Sequence, residues 1–156
     1  MIDSLDPESR QLEALLGGLR YRFADRLKAA GIQLDWQVDD LPALPWLDAP
    51  QALELLRVIH ALVGHAIAEE GARHLRLAAS EQGSTVTILV EHCIATIAGT
   101  ISCAMSEHIA NKSIQTRLQQ RLHALVPATL DSKPAWLEVH DDAAFRKRQY
   151  LISIPL

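Results

Sequence analysis

Between Arg57 and Leu75 the chain reads RVIHALVGHAIAEEGARHL, a run that commits it to one apolar helix feeding straight into a strand. Leu55, Leu56, Ile59, Leu62, Val63, Ala66 and Ile67 recur at steps of three and four residues, the period of a helix with a single buried face. Gly71 supplies the stop, because glycine adopts the left-handed conformation that closes a helix. The residues that follow, RHLRLAAS, alternate apolar and polar as a half-buried strand does.

The flanks fit around this unit. Asp6, Pro7 and Glu8 make a helix start, with Asp6 as the N-cap, and the helix extends to Ala30 before Gly31 ends it. Leu12, Leu15, Leu16, Leu19, Phe23 and Leu27 form its apolar stripe, while Gly17 and Gly18 weaken its middle by roughly 1 kcal/mol each and allow a kink. IQLDWQV is a strand with Ile32, Leu34, Trp36 and Val38 on one side. The proline-rich DDLPALPWLDAP then leads to Asp48, an N-cap for the central helix. RHLRLAAS and STVTILVEH form a hairpin across Glu81-Gln82-Gly83. Residues 93–111 carry too weak a pattern to assign. Lys112 to Leu125 read as a helix with Ile114, Leu118, Leu122 and Leu125 inward, ended by Pro127. AWLEVHD and QYLISIPL are strands joined by a polar connection. The expected fold class is α+β: a single domain over residues 1–156, with one mixed sheet of about five strands and three helices on one face.

Composition narrows the function classes. A formal charge of −4 gives no electrostatic case for nucleic acid, and no apolar run reaches the ~18 residues of a membrane span. The acidic, polar start lacks the form of a secretion signal, which gives a cytoplasmic address by default. Cys93 and Cys103 make no disulfide framework, so they read as reduced thiols.

From IQLDWQVDDLPALPWLDAPQALELLRVI through AIAEEGARHLRLAAS, and again at RQYLISIPL, the chain resembles the nucleotide-binding domain of two-component sensor histidine kinases, in the subfamily that partners NarL-type response regulators. The resemblance implies the Bergerat fold of the GHKL ATPases, with ATP held between helices and a lid, and it puts residues 93–111 in the lid region. The family's central helix carries a Glu, an Asn that holds magnesium, and a Lys-His pair. Aligned through Arg57, Gly71 and Ala72, those places hold Ala61, His65, Ala68 and Glu69. The family's strand ends in DxGxG; the corresponding run is Val90 to Thr96, where His92 or Cys93 takes the place of the carboxylate and Ile94 stands near the missing glycines. The GxGL motif that opens the next helix reads Asn111-Lys112-Ser113-Ile114, and of it Ile114 alone matches. Magnesium prefers oxygen ligands, which neither His65 nor Ala61 offers.

Other groupings have simpler readings. His60, Leu62 and Gly64 form HxLxG, which is similar to the histidine phosphotransfer motif, although the lysine expected three residues after the histidine is Val63; the plainer reading is a partly exposed helix residue. His92, Cys93, Cys103 and His108 are ligand types that zinc selects, but their spacing fits no familiar pattern, and small buried thiols explain them as well. Trp36, Trp46 and Trp136 read as core or loop anchors.

The expectation is a degenerate histidine-kinase ATPase-like domain of two-component signalling, without a cofactor or bound metal, which acts by contact with a sensor kinase or response regulator. The alternative is an enzyme: an atypical catalytic domain using ATP and magnesium, or a phosphotransferase with His60 as phosphoacceptor. A ligand-free dimerisation domain is the third reading. About one helix precedes the first strand where the family has a dimerisation hairpin, so a fragment of a longer sensor and a free-standing relative are both open.

Overall fold

A computed structural model describes residues 11–38, 40–42, 44, 46–68, 73–93, 114–126, 134–142 and 147–156. Helix α1 (Gln11–Ala29) leads to strand β1 (Gln33–Val38), helix α2 (Ala49–Ala68) and the hairpin β2 (His74–Gln82) and β3 (Thr85–Cys93). Residues 114–123 are helical and form α3, and the chain continues with β4 (Trp136–Asp142) and β5 (Lys147–Pro155). The expectations at Asp6, Pro7, Glu8, Glu69, Gly71, Ala72, Ile94, Cys103, His108, Asn111, Lys112, Ser113 and Pro127, with most of the lid region, lie outside the described residues.

Local sequence explains where the helices stop and start. At the end of α1 the Gly31 amide bonds to the Lys28 carbonyl (3.1 Å) and the Ile32 amide to that of Leu27 (2.9 Å), with Gly31 at φ +70°. This is a Schellman closure; it satisfies two carbonyls that the helix would leave open and turns Ile32 into the core. The Gly17-Gly18 pair does not divide α1, which is assigned as one helix. At the start of α2 the Asp48 carboxylate accepts from the Gln51 amide (2.9 Å) while the Gln51 side chain accepts from the Asp48 amide (2.9 Å), a reciprocal capping box. In the hairpin Glu81 and Gln82 belong to β2, and the turn is Gly83-Ser84, one step later than the sequence suggests, with Gly83 at φ +64°. Cross-strand pairing of Gln82 with Thr85 extends the ladder to the tip and displaces the turn.

The sheet order is β1-β2-β3-β5-β4, parallel between β1 and β2 and antiparallel elsewhere. The β1–β2 crossover is made by α2, as a parallel pair requires. Helix α2 buries Ala52, Leu55, Val58, Ile59, Leu62, Val63 and Ala66, leaving Leu56 and Ile67 at the margin. Against it stand Leu75, Leu77 and Ala79 of β2, Val86, Ile88 and Val90 of β3, and Tyr150, Ile152 and Ile154 of β5. Each large aliphatic side chain sealed in this layer contributes about 1.5–3 kcal/mol. Leu118 and Leu122 of α3 join the same core, and Gln119 accepts from the Leu137 amide (2.7 Å), which ties α3 to β4. Two bonds hold the irregular segment before α2: Glu13 accepts from the Leu41 amide (2.8 Å), and the Trp46 indole donates to the Pro155 carbonyl (3.1 Å).

All described helical packing is on one side of the sheet. On the other side, register sets Asp35, Arg76, Glu91, Gln149 and His140 in one row across five strands. Arg76 bonds to the Gln37 side chain (2.6 Å), Gln149 donates to Glu91 (2.6 Å), and the Lys147 ammonium stands 3.4 Å from Glu91. Glu91 is only 5% exposed. Burial by itself pushes its pKa up; the Gln149 hydrogen bond and the charges of Lys147 and Arg76 outweigh that, and the net displacement is downward.

Two outcomes are expected. Asp48→Ala, which removes half of the capping box, lowers the unfolding free energy by about 1 kcal/mol in urea titrations. Because the Glu91 pKa is lower folded than unfolded, its stabilisation is fully present above the ordinary carboxylate range and is lost as pH falls through the folded value. Glu91→Gln therefore flattens part of the acid limb of a stability-versus-pH curve and leaves its shape above neutrality unchanged.

Candidate functional site

The central helix offers two unlike faces. Ala61, His65 and Ala68 are separated by steps of four and three residues, which return to one side of a helix. Ala61 and His65 are half-buried and Ala68 is exposed, in contrast to the sealed side carrying Leu55, Ile59, Leu62 and Ala66. Their shared face lies away from the core's centre.

The end of β3 is the second component. Strand alternation puts His92 on the same side as Val86, Ile88 and Val90, facing the helices, whereas Glu91 lies on the opposite side with Lys147 and Gln149. Of the two residues the sequence offers in place of a carboxylate, His92 is thus on the helix-covered face. It is 1% exposed and lies nearly parallel to the Tyr150 ring, at 17° with centroids 5.9 Å apart. Arg148 is its cross-strand neighbour. Cys93 closes β3 opposite Lys147. Ile114, half-buried against the core, begins the described part of α3, and Ser113 and Glu69 lie outside it.

Chemically these positions supply imidazole nitrogens and methyl groups. They offer no carboxylate or amide oxygen at Ala61, His65, Ala68 or His92, the hard donors on which magnesium–phosphate sites are built. Among the described residues no three His, Cys, Asp or Glu side chains gather as a metal cluster. No described helix is long and apolar enough to cross a membrane.

His60 lies elsewhere on α2. It is exposed, and its ring rests on Phe23 of α1 at 4.9 Å, with the Arg26 guanidinium 5.7 Å from the same Phe23 ring. Two of the tryptophans serve as anchors: Trp46 through its bond to Pro155, and Trp36 beneath the Arg20 guanidinium at 5.5 Å. Arg20 and Trp36 belong to separate elements, so no local pattern announces their contact. The row through Glu91 was likewise hidden, since alternation marks its members as polar-face residues but only register aligns them.

No protein-family model and no curated protein matches the sequence. Solved structures do. The histidine kinase AdeS of Acinetobacter baumannii superposes with a TM-score of 0.60 at 14% identity, over 92% of this chain and 64% of that one. The nucleotide-free catalytic domain of histidine kinase ThkA gives 0.62 at 15% identity, over 92% of this chain and 91% of that one. ThkA in complex with the response regulator TrrA gives 0.58 at 11% identity, over 92% of this chain and 40% of that one. The chain spans less than two thirds of AdeS but nearly all of the isolated ThkA domain. Its α+β sandwich has the fold of histidine-kinase catalytic domains.

Proposed function

We propose that this chain is a histidine-kinase ATPase-like domain of two-component signalling whose nucleotide boxes are degenerate, and that it acts through protein contact rather than phosphoryl transfer. The observation that carries the reading is an intact frame around substituted chemistry. The capped α2 and the five-stranded sheet share the kinase fold. Yet His65 stands where the resemblance calls for the magnesium ligand, and His92 where it calls for the carboxylate that receives the adenine amino group. An imidazole is a poor substitute for either, because magnesium sheds its waters reluctantly and then takes oxygen ligands. Ala61 and Ala68 add no group able to activate a nucleophile or hold a phosphate.

A domain with this frame keeps outer surfaces suited to protein docking. ThkA, which shares the fold, has been crystallised with its response regulator. The partner class favoured for this chain is a response regulator, of the NarL type by the sequence resemblance, or a sensor kinase whose own catalytic domain it displaces. In this reading no cofactor is required, and the work is done in the cytoplasm.

Calorimetric titration of ATP and ADP into the chain, with and without magnesium, tests the proposal. The expected result is no binding heat up to millimolar nucleotide in either condition. Magnesium-dependent binding at micromolar concentration, about −8 kcal/mol, would overturn it and point to an atypical working kinase domain.

A further inference from the structure

A sheet of five strands has two edges, and in this molecule they are finished differently. β4 is blunted. Its Leu137 amide is taken by the Gln119 side chain of α3 (2.7 Å), Pro134 stands just before it, and exposed Glu138 and His140 pair with each other on its outer side. Charged side chains, proline and a covering helix are the devices that keep an edge strand from pairing again. β1 has none of them along its length. No proline or lysine lies between Gln33 and Val38, and the register with β2 is unbroken over the same residues. Its one charged side chain, Asp35, stands 3.9 Å from Arg76 of the neighbouring strand.

The direction of the β1 peptide groups follows from one bond. The Gln33 amide donates to the Arg73 carbonyl (2.9 Å), so Gln33 faces β2, and by strand alternation so do Asp35 and Gln37. Leu34, Trp36 and Val38 therefore turn their amide and carbonyl groups away from the sheet, and among the described residues nothing bonds to them. The same three residues mark where the helix layer ends. On β2, Leu75, Leu77 and Ala79 are at most 2% exposed, whereas Leu34, Trp36 and Val38, on the same face one strand further out, are half-buried. Unpaired peptide groups and partly exposed apolar side chains thus coincide on one strand, and a further strand laid beside β1 would cover both.

β1 is itself a strand of the kind this edge accepts. When it is set antiparallel to a second copy about Trp36, Leu34 faces Val38 of the copy, Trp36 faces Trp36 and Val38 faces Leu34, each pair exchanging two hydrogen bonds. The apolar side chains then meet on the helix side. On the other side Asp35 falls opposite Gln37 of the copy and Gln37 opposite its Asp35, a carboxylate acceptor against an amide donor twice over. Within one chain these side chains already match, the Gln37 amide donating to Asp35 (3.2 Å). A shift of two residues either way loses one of the three peptide pairs, and in one direction it sets Asp35 against Asp35.

We infer that β1 is the pairing edge of a symmetric homodimer, in which a second copy of this chain continues the sheet through antiparallel β1–β1 contact centred on Trp36. This goes beyond the proposed loss of nucleotide chemistry and does not depend on it. Two six-residue strands make a smaller contact than that of stable complexes, so the dimer is weak and reversible.

Sedimentation equilibrium from about 10 µM to about 1 mM, joined to hydrogen exchange of single amides, tests this. The expected result is a monomer–dimer equilibrium within that range, with the Leu34, Trp36 and Val38 amides gaining protection as concentration rises. Gln37→Glu, which sets two carboxylates face to face, is expected to weaken association several-fold, and Gln37→Lys, which sets an ammonium against Asp35, to strengthen it. Gln37 is exposed, so both variants keep the melting temperature of the unaltered chain. Val38→Pro removes an outward amide without taking a bond from the β1–β2 ladder and is expected to weaken association about tenfold or more. The inference falls if the chain stays monomeric at about 1 mM, if it dimerises with protection gained at other amides such as Val139 and none on β1, or if the Gln37 variants leave association unchanged. Nucleotide binding is a separate readout: it would overturn the degenerate-site reading without moving β1 protection, and a monomeric chain would leave that reading standing.

Discussion

Burial of one face of α2 against the sheet is the interaction on which the molecule depends. Leu55, Ile59, Leu62 and Ala66 are sealed between α1 on one side and β2, β3 and β5 on the other, so this helix is at once the β1–β2 crossover and the middle of the core. Its direction is fixed at the start by the Asp48–Gln51 capping box and by the Trp46 indole tied to the end of β5. With the inner face committed, the outer face is committed too: Ala61, His65 and Ala68 are turned toward the edge of the layer because Leu62 and Ala66 are turned inward.

The same separation of faces governs the sheet. One side is aliphatic and covered; the other carries a row of alternating charge and amide groups in which buried Glu91 is held by Gln149, Lys147 and Arg76. A one-residue slip of β3 would exchange Glu91 for His92 or Val90 and put a carboxylate into the aliphatic layer. Stability and register are thus enforced from both sides. Function, in the reading proposed, is left to surfaces that the core does not need.

Considerable evidence for the fold is local. The Gly31 stop, the Asp48 cap, the inward residues of α2 and the alternation of β2, β3 and β5 are each written in a few consecutive residues, because capping and burial period are short-range effects. Small displacements mark where long-range pairing overrode them. The hairpin turn moved to Gly83-Ser84, and β5 begins at Lys147 rather than Gln149, since pairing with β3 and β4 extends the ladder into a connection that reads as polar loop. Of the candidate site, the substitutions at Ala61, His65 and His92 are legible from the sequence resemblance, whereas the choice of His92 over Cys93 for the helix-covered side required the strand's phase.

The sequence by itself determined the elements, their order and the face each helix buries, because those follow from caps, glycine stops and hydrophobic period. Only the tertiary structure decided the strand order β1-β2-β3-β5-β4, the row that buries Glu91, the stacking of His92 on Tyr150 and the resting of His60 on Phe23. Each of these joins residues from separate elements, and their meeting depends on register and packing angle, which no single stretch of chain encodes.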